Sequence, residues 1–315
     1  MPEVVTLGEA MVLFVPRDSG SLKYVSEFRK RYAGAESNFA TGLKKLGHST
    51  GWISKVGDDV FGEYIIKEIS GEGVDTSRVV MDPTHPTGVM FKQINEGEET
   101  TVMYYRKGSA ASTLVPEDID EDYIRDARVV HVTGITPALS DDCARATMHI
   151  VDVAKKDGVL VSFDPNIRLR LWSREKAKET LLPILKKSDI VLMGLDEAEI
   201  LLGTRDVDTI IGQLREFGAR SMAIKLGSKG AVVADRGDQI MSDPHPAKKV
   251  DPVGAGDAFD AGFLCGFLEG KSLELCGKMG NIMGAFAISV RGDMEGYRPR
   301  RELDRVLNHI EAIYR

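Results

Sequence analysis

The chain is 315 residues long, 43% hydrophobic and 28% charged, a balance that fits a globular protein with a large core and excludes a fibrous or disordered one. Its net charge of −7, with no long basic block, argues against a nucleic-acid partner, and no apolar run approaches the ~20 residues of a bilayer span. Three widely spaced cysteines (Cys143, Cys265, Cys276) form no Cys-x-x-Cys pair, which argues against a disulfide framework or a zinc site. With a first segment that reads as a strand and not as a secretory leader, the expectation is a cytoplasmic protein.

In chain order, Val4 to Gly8 is strand-like. Met11 to Phe28 and Thr87 to Arg106 are rich in β-branched and aromatic residues, with turn signals at Asp18-Ser19-Gly20 and Asn95-Glu96-Gly97-Glu98. Each predicts a hairpin. Together, over about 11–33 and 78–108, they predict a small β lid on a single domain spanning 1–315. Between them, Ala33-Gly34-Ala35-Glu36-Ser37-Asn38-Phe39-Ala40 opens a helix that runs to Leu46. The small residues there mark either a tight loop into a helix or a binding loop. At the end of the second hairpin, strand alternation puts Tyr104 and Arg106 on one face and Tyr105 on the other. That pattern suits an exposed edge strand as well as a cation aimed at a ligand.

The second half alternates strands (Val129–Thr133, Val159–Asp164, Ile190–Gly194, Met222–Leu226) with helical stretches near 140–156, 173–187, 197–202 and 207–217. Apolar strands separated by helices predict βαβ units around a mostly parallel sheet, buried on both faces. Ligands of such sheets bind outside the carboxyl ends of the strands. Asp164, Asn166, Arg168, Gly194, Glu197 and Gly227 follow strand ends and should share that rim. The segment Asp164-Pro165-Asn166-Ile167-Arg168-Leu169-Arg170 is either a solvated loop or a second arginine-bearing wall. Two such walls on one rim predict a substrate with a carboxylate, because a guanidinium grips a carboxylate through two parallel N–H bonds. Glu197 falls in the first turn of a short helix, where an acid is favourable in any case. Lys225-Leu226-Gly227-Ser228-Lys229-Gly230-Ala231 reads as a glycine turn between two strands.

The densest signal is Asp251-Pro252-Val253-Gly254-Ala255-Gly256-Asp257-Ala258-Phe259, a glycine turn entering an apolar helix that continues to Leu268. Unpaired N–H groups at a helix N-terminus favour an anion, and glycines let the backbone approach it. Asp257 would repel a phosphate held there, so it reads as a proton acceptor for an attacking hydroxyl, or more simply as a helix-capping acid. Asn281 lies in a helix of small residues, which suits close helix packing as well as a ligand. Asp293 lies in a turn-like Gly-Asp. No G-x-x-x-x-G-K-[ST] and no G-x-G-x-x-G after the first strand is present, which disfavours a P-loop enzyme and a nicotinamide dehydrogenase.

The 251–259 stretch resembles the C-terminal signature of the ribokinase-like (PfkB) carbohydrate kinases, and Gly34, Asn38, Gly47 and Gly57 follow the spacing of their N-terminal one. Tyr104 to Ala110, Asp164 to Arg168 and Arg291 to Gly296 are most similar to the branch acting on 2-keto-3-deoxygluconate. The resemblance implies an α/β three-layer fold with a β lid, and an ATP- and Mg²⁺-dependent sugar-acid kinase, with a fructokinase or other hexose or pentose kinase as the alternative. It implies Asp257 as base, with amides of Gly254, Ala255 and Gly256 as an anion hole. Sugar contacts would come from Gly34, Asn38, Tyr104, Arg106, Arg168 and Asp293. The nucleotide would meet Asn166, Arg168, Lys225, Gly227, Gly230, Gly254, Gly256 and Asn281. Glu197 would organise Mg²⁺ through water, although Gly194 stands where the family motif usually has Asn. Glu36 stands where a small residue is usual, which implies an atypical sugar pocket. A homo-oligomer, in the simplest case a dimer through the lids, is a further implication.

Overall fold

The computed structural model describes residues 1–94 and 100–313. Its main sheet has nine strands: β1 (Val4–Leu7), β4 (Thr50–Gly57), β5 (Val79–Asp82), β8 (Val129–Thr133), β9 (Leu160–Asp164), β10 (Ile190–Gly194), β11 (Ser221–Lys225), β12 (Ala231–Asp235) and β13 (Gln239–Ser242). The order is β13-β12-β11-β10-β9-β8-β1-β4-β5, parallel throughout except at β12 and β13. All five residues of β8 are buried, as expected of a strand covered on both faces.

Ten α-helices among the described residues accompany these strands, the last three following β13: α1 (Ala35–Lys45), α2 (Val60–Gly71), α3 (Glu121–Arg125), α4 (Asp141–Lys156), α5 (Arg174–Lys187), α6 (Leu195–Leu202), α7 (Val207–Glu216), α8 (Ala255–Leu268), α9 (Leu273–Ala287) and α10 (Arg300–Ile313). Their limits follow local chemistry. Ser140 Oγ accepts from Cys143 N at 3.0 Å to start α4, and Asp206 Oδ1 accepts from Thr209 N at 2.9 Å to start α7. Two apolar layers result. Phe39, Leu43, Phe263 and Met279 pack on one face of the sheet, and Ile150, Ile184, Leu201 and Leu214 on the other. The first layer buries α8 along nearly its whole length, so the turn before it is held in the interior.

A separate four-stranded sheet forms the lid: β2 (Met11–Pro16), β3 (Phe28–Ala33), β6 (Val89–Gln93) and β7 (Thr101–Tyr105), in the order β3-β2-β6-β7. Both predicted hairpins are antiparallel pairs, and β2 and β6 join them in parallel. Phe14 stacks on Phe91 at 5.0 Å, with Phe28 edge-on to both. One boundary differs from the expected 78–108. Val79–Asp82 pairs with β4, at Ser54↔Val79, and so belongs to the main sheet. Its β-branched residues fit either sheet, and the register of β4 decides. The expected turn Asn95-Glu96-Gly97-Glu98 lies outside the described residues.

Candidate active site

A cleft of about 1100 Å³ opens between the lid and the carboxyl ends of the main-sheet strands, where the rim was expected. Its floor is the start of α8. Gly254 caps the helix in the left-handed region, at φ 82°, and a Cβ there would stand 2.0 Å from Asp293 O, so only glycine fits. The first intrahelical bond runs from Ala258 N to Gly254 O, at 3.0 Å, so the amides up to Asp257 have no helical partner. Ala255 N makes a long bond, 3.4 Å, to Pro252 O within the turn. Of the three expected anion-hole amides, it is the one partly engaged.

Asp257 stands in the first turn of α8, and its Oδ2 accepts from Asn38 Nδ2 at 2.9 Å. Burial, reinforced by the carboxylates of Asp164 and Asp293 and opposed by Asn38 and Arg168, pushes its carboxyl up to about 7. Asn38 enters from α1, and its Oδ1 is buried without a protein partner among the described residues. Gly34 lies against the backbone of the first strand's exit, where a Cβ would meet Glu9 O at 2.1 Å.

Arg106 and Tyr104 come from the end of β7 and line the cleft together, the guanidinium 5.7 Å from the ring centroid. Arg106 pairs with Glu9, a residue that sequence reasoning passed over. Glu9 is 2% exposed and also accepts from Ser109 Oγ at 2.5 Å. Its place directly after β1 was the available signal. The Nε of Arg106 is buried without an acceptor among the described residues, which leaves it for a ligand. Arg168 lies across the cleft, exposed, on the loop after β9. Arg170 of the same loop reaches the lid, donating to Val102 O at 3.1 Å. The two arginine segments therefore wall one cleft, as expected.

Another wall of the cleft is built around Lys225, at the end of β11. Its Nζ lies 3.0 Å from Asp164 Oδ2 and 3.2 Å from Asp260 Oδ1. Burial pushes the Asp164 carboxyl up, but the Lys225 ammonium outweighs it and holds Asp164 below the usual range. Asp260, one turn along α8 from Asp257, is pushed well up by burial, and the negative charge of Asp164 adds to this. Of the two carboxyls, Asp260 is the one whose surroundings favour the proton and Asp164 the one whose surroundings favour the charge. Asn166, at φ 37°, is the one non-glycine in the left-handed region among the described residues. An Asx bond from its own N–H to Asp164 Oδ1, 3.1 Å, holds it there.

Four expectations need adjustment or qualification. Gly230 and Asn281 are not among the residues lining the cleft. A Cβ on Gly230 would meet Ser242 O at 2.2 Å, and Asn281 Nδ2 donates to Ser242 O and Asp243 O, both at 3.0 Å. Both therefore tie β12 and α9 to the strand exit at Ser242, the packing alternative for Asn281. Glu36 does not line the cleft either. It is fully buried, accepts from Thr133 Oγ1 at 2.6 Å and Thr136 Oγ1 at 2.7 Å, and packs against Gly8, where a Cβ would clash at 2.1 Å. Glu197 does line the cleft, but both its oxygens are engaged by backbone, Oε1 with Ile167 N at 3.1 Å and Oε2 with Gly194 N at 2.6 Å. It anchors the start of α6 by accepting from the N–H of the N-cap residue Gly194.

Asp293 stands between the floor and the lid. It pairs with Lys92 Nζ at 2.5 Å, and burial pushes its carboxyl up against the pull of that ammonium. Lys92 was not anticipated.

The sequence pattern of the pfkB family carbohydrate kinases matches residues 1–300. The chain belongs to this family of carbohydrate kinases. It is 38% identical to the 2-dehydro-3-deoxygluconokinase of Bacillus subtilis (strain 168), over 99% of this chain and 97% of that one. A PfkB protein of Polaromonas sp. JS666, 36% identical, superposes with a TM-score of 0.89, covering 96% of this kinase and 99% of that chain. An E. coli structure solved with ATP and Mg²⁺ superposes with a TM-score of 0.91 at 26% identity, covering 98% of this kinase and 100% of that chain. The ribokinase-like architecture, a mostly parallel sheet between helical layers with a β lid, is thereby shared. No helix among the described residues is long and apolar enough to cross a membrane.

Proposed function

We propose that this kinase transfers the γ-phosphoryl group of ATP to the terminal hydroxyl of 2-keto-3-deoxygluconate, giving 2-keto-3-deoxy-6-phosphogluconate and ADP. The observation that carries the chemistry is the carboxyl of Asp257, raised to about 7 at the mouth of an anion-binding helix N-terminus. A base with that affinity for protons takes the hydroxyl proton as the oxygen attacks, which is typically worth ~10²–10⁴-fold. Gly254 and Gly256 amides, with Ala255 as the weaker third, receive the transferring phosphoryl. Lys225 and Asn166 lie on the nucleotide side, with Gly227 in the turn beyond.

The sugar's carboxylate is read by Arg106 and Arg168. Glu9 orients the Arg106 fork, and the unpartnered Nε completes the grip. Asn38, Asp293, Tyr104 and the backbone at Gly34 take the hydroxyls. Because Glu197 has both oxygens on backbone N–H groups, the site fits a Mg²⁺ that keeps its own waters and touches Glu197 through them. When bound, that ion neutralises charge on the ATP phosphates.

ADP release with ATP, Mg²⁺ and a panel of 2-keto-3-deoxygluconate, its galactonate epimer, fructose, ribose and gluconate tests the reading. Turnover confined to the keto-deoxy acids, with a KM raised at least ~10-fold in Arg106→Ala, is expected. Turnover on fructose that is indifferent to Arg106→Ala would instead make the protein a fructokinase. A cytoplasmic setting suits ATP as donor and the three buried free thiols. The lid exposes Met103 and Tyr105 on the face away from the cleft-lining Tyr104, a surface suited to a second copy of the chain. Sedimentation at micromolar concentration should show a dimer that Tyr105→Glu weakens, and a monomer at all concentrations would remove that pairing.

A further inference from the structure

Lys92 is the most deeply buried cation among the described residues and the least expected. It sits on lid strand β6, is 0% exposed, and points its ammonium between Asp251 Oδ2, at 2.7 Å, and Asp293 Oδ1, at 2.5 Å. Burial alone would strip its proton, but Asp293 and Asp251 overcome that and raise its affinity for the proton. The ammonium is therefore a fixed charge, supplied by the lid to the floor of the cleft.

The two carboxylates it joins are those that shape the anion-binding turn. Asp251 opens that turn, its Oδ1 accepting from Val253 N at 3.2 Å and its Oδ2 from Gly292 N at 3.3 Å. Asp293 follows Gly292 and places its carbonyl against Gly254 so closely that no side chain fits between them. From the other side, Tyr297 Oη donates to Gly254 O at 2.7 Å. Without a cation, Asp251 and Asp293 would face each other buried and unpaired, an arrangement a protein relieves by moving them apart or protonating one. Either response would shift Val253 and Gly254, and with them the amides aimed at the phosphoryl group.

We propose that Lys92 is a positioning residue for phosphoryl transfer: carried by the lid, it locks the two carboxylates that set the anion-hole turn, so the hole takes its working shape only with β6 seated. The inference rests on the kinase site described above. It makes the lid a part of the catalytic floor as well as a cover. Water should then be excluded, and the hole completed, by the same strand.

The test compares Lys92→Met, Lys92→Arg and the double variant Lys92→Met/Asp251→Asn, which removes the charge pair together, with the unaltered kinase. Three quantities are measured: kcat, KM for ATP, and the number of ATP molecules consumed per sugar acid phosphorylated. Lys92→Met should lower kcat by ~10²-fold, the scale of losing one oxyanion donor, with KM for ATP changed less than about 3-fold. ATP consumed per sugar phosphorylated should rise well above one. That ratio is independent of how much protein is folded, so a purely structural role would leave it at one. If Lys92→Met does not fold, the double variant carries the test, and the same two changes are expected in it. Normal kcat and a ratio of one in whichever of the two folds would overturn the proposal, as would their persistence in a folded Lys92→Arg that has lost its contact with both carboxylates. Asp257→Asn separates the two levels of the reading. If it retains turnover, the assigned site is wrong whatever Lys92 does. If it is inactive while the Lys92 variants are normal, the positioning role alone fails.

Discussion

Because Asp257 is buried beside Asp164 and Asp293, its carboxyl titrates at about 7 where an ordinary aspartate titrates at 3.8. This makes it a competent base near neutral pH and also a load on the fold. The folded state binds the proton more tightly than the unfolded chain does. Stability from this group is therefore fully present below the unfolded value of 3.8 and is lost as pH rises toward about 7. A shift of about three pH units at ~1.4 kcal/mol each sets a ceiling near 4 kcal/mol. Asp257→Asn, which keeps the shape and the hydrogen bond to Asn38 but not the charge, should therefore be more thermostable than the parent at pH 8 and indistinguishable from it at pH 4. In the parent, kcat/KM should climb with unit slope and level off above about 7, and the residual activity of Asp257→Asn should lack that rise. Calorimetry at the two pH values, beside a pH–rate profile, checks both halves. A variant that gained nothing at pH 8 would mean that Asp257 is solvated and not poised.

At the scale of elements, the start of helix α6 places in the cleft a side chain that also holds the backbone. Glu197 accepts from the N-cap N–H of Gly194 and also ties down Ile167 of the loop that carries Arg168. Glu197→Ala orphans two backbone N–H groups, each worth about 1 kcal/mol or more when buried without a partner. It should lose ~1–3 kcal/mol of stability by denaturant titration. Glu197→Gln retains an acceptor for one of those amides and should lose less. If the carboxylate also organises Mg²⁺, Glu197→Gln should need several-fold more Mg²⁺ for half-maximal rate. An unchanged Mg²⁺ requirement in a folded Glu197→Gln would leave it a cap only. Elements of this kind were legible because their signals are local: Ser140 and Asp206 before α4 and α7, the glycine turn before α8, and apolar runs matching β8 and β10 residue for residue. What failed depended on distant partners. Val79–Asp82 has strand chemistry that suits either sheet, and only the register with β4 assigns it. Lys92, in the alternation of β6, shares the buried face with Met90, but a lysine there reads as solvent-facing until Asp251, 159 positions away, is brought beside it. Asp260 was within reach, since it lies three residues after Asp257 on the same helix and so over the same face.

At the scale of the whole molecule, two electrostatic effects of opposite sign act on an anionic substrate. The net charge of −7 repels it, whereas Arg106 and Arg168 in the cleft attract it. Distance decides between them. At about 0.15 M salt the screening length is ~8 Å, shorter than the reach from the cleft to most of the surface charge, so the distributed negative charge is already damped. The arginines act at contact, in a cleft whose walls lower the local dielectric, and are screened least at that ionic strength. Further salt should then weaken the contact term with little left to gain from the distant one. KM for the keto-deoxy acid is expected to rise several-fold between about 0.15 and 0.5 M salt, while kcat, set by Asp257 and the turn at Gly254, stays nearly constant. In Arg106→Ala the rise should shrink, because one of the two screened partners is gone. The measurement is a steady-state salt series on both proteins with Mg²⁺ and ATP held saturating. If KM instead fell with added salt, the repulsion of the whole molecule would be the larger effect, and the arginine pair could not be the principal reader of the substrate's charge.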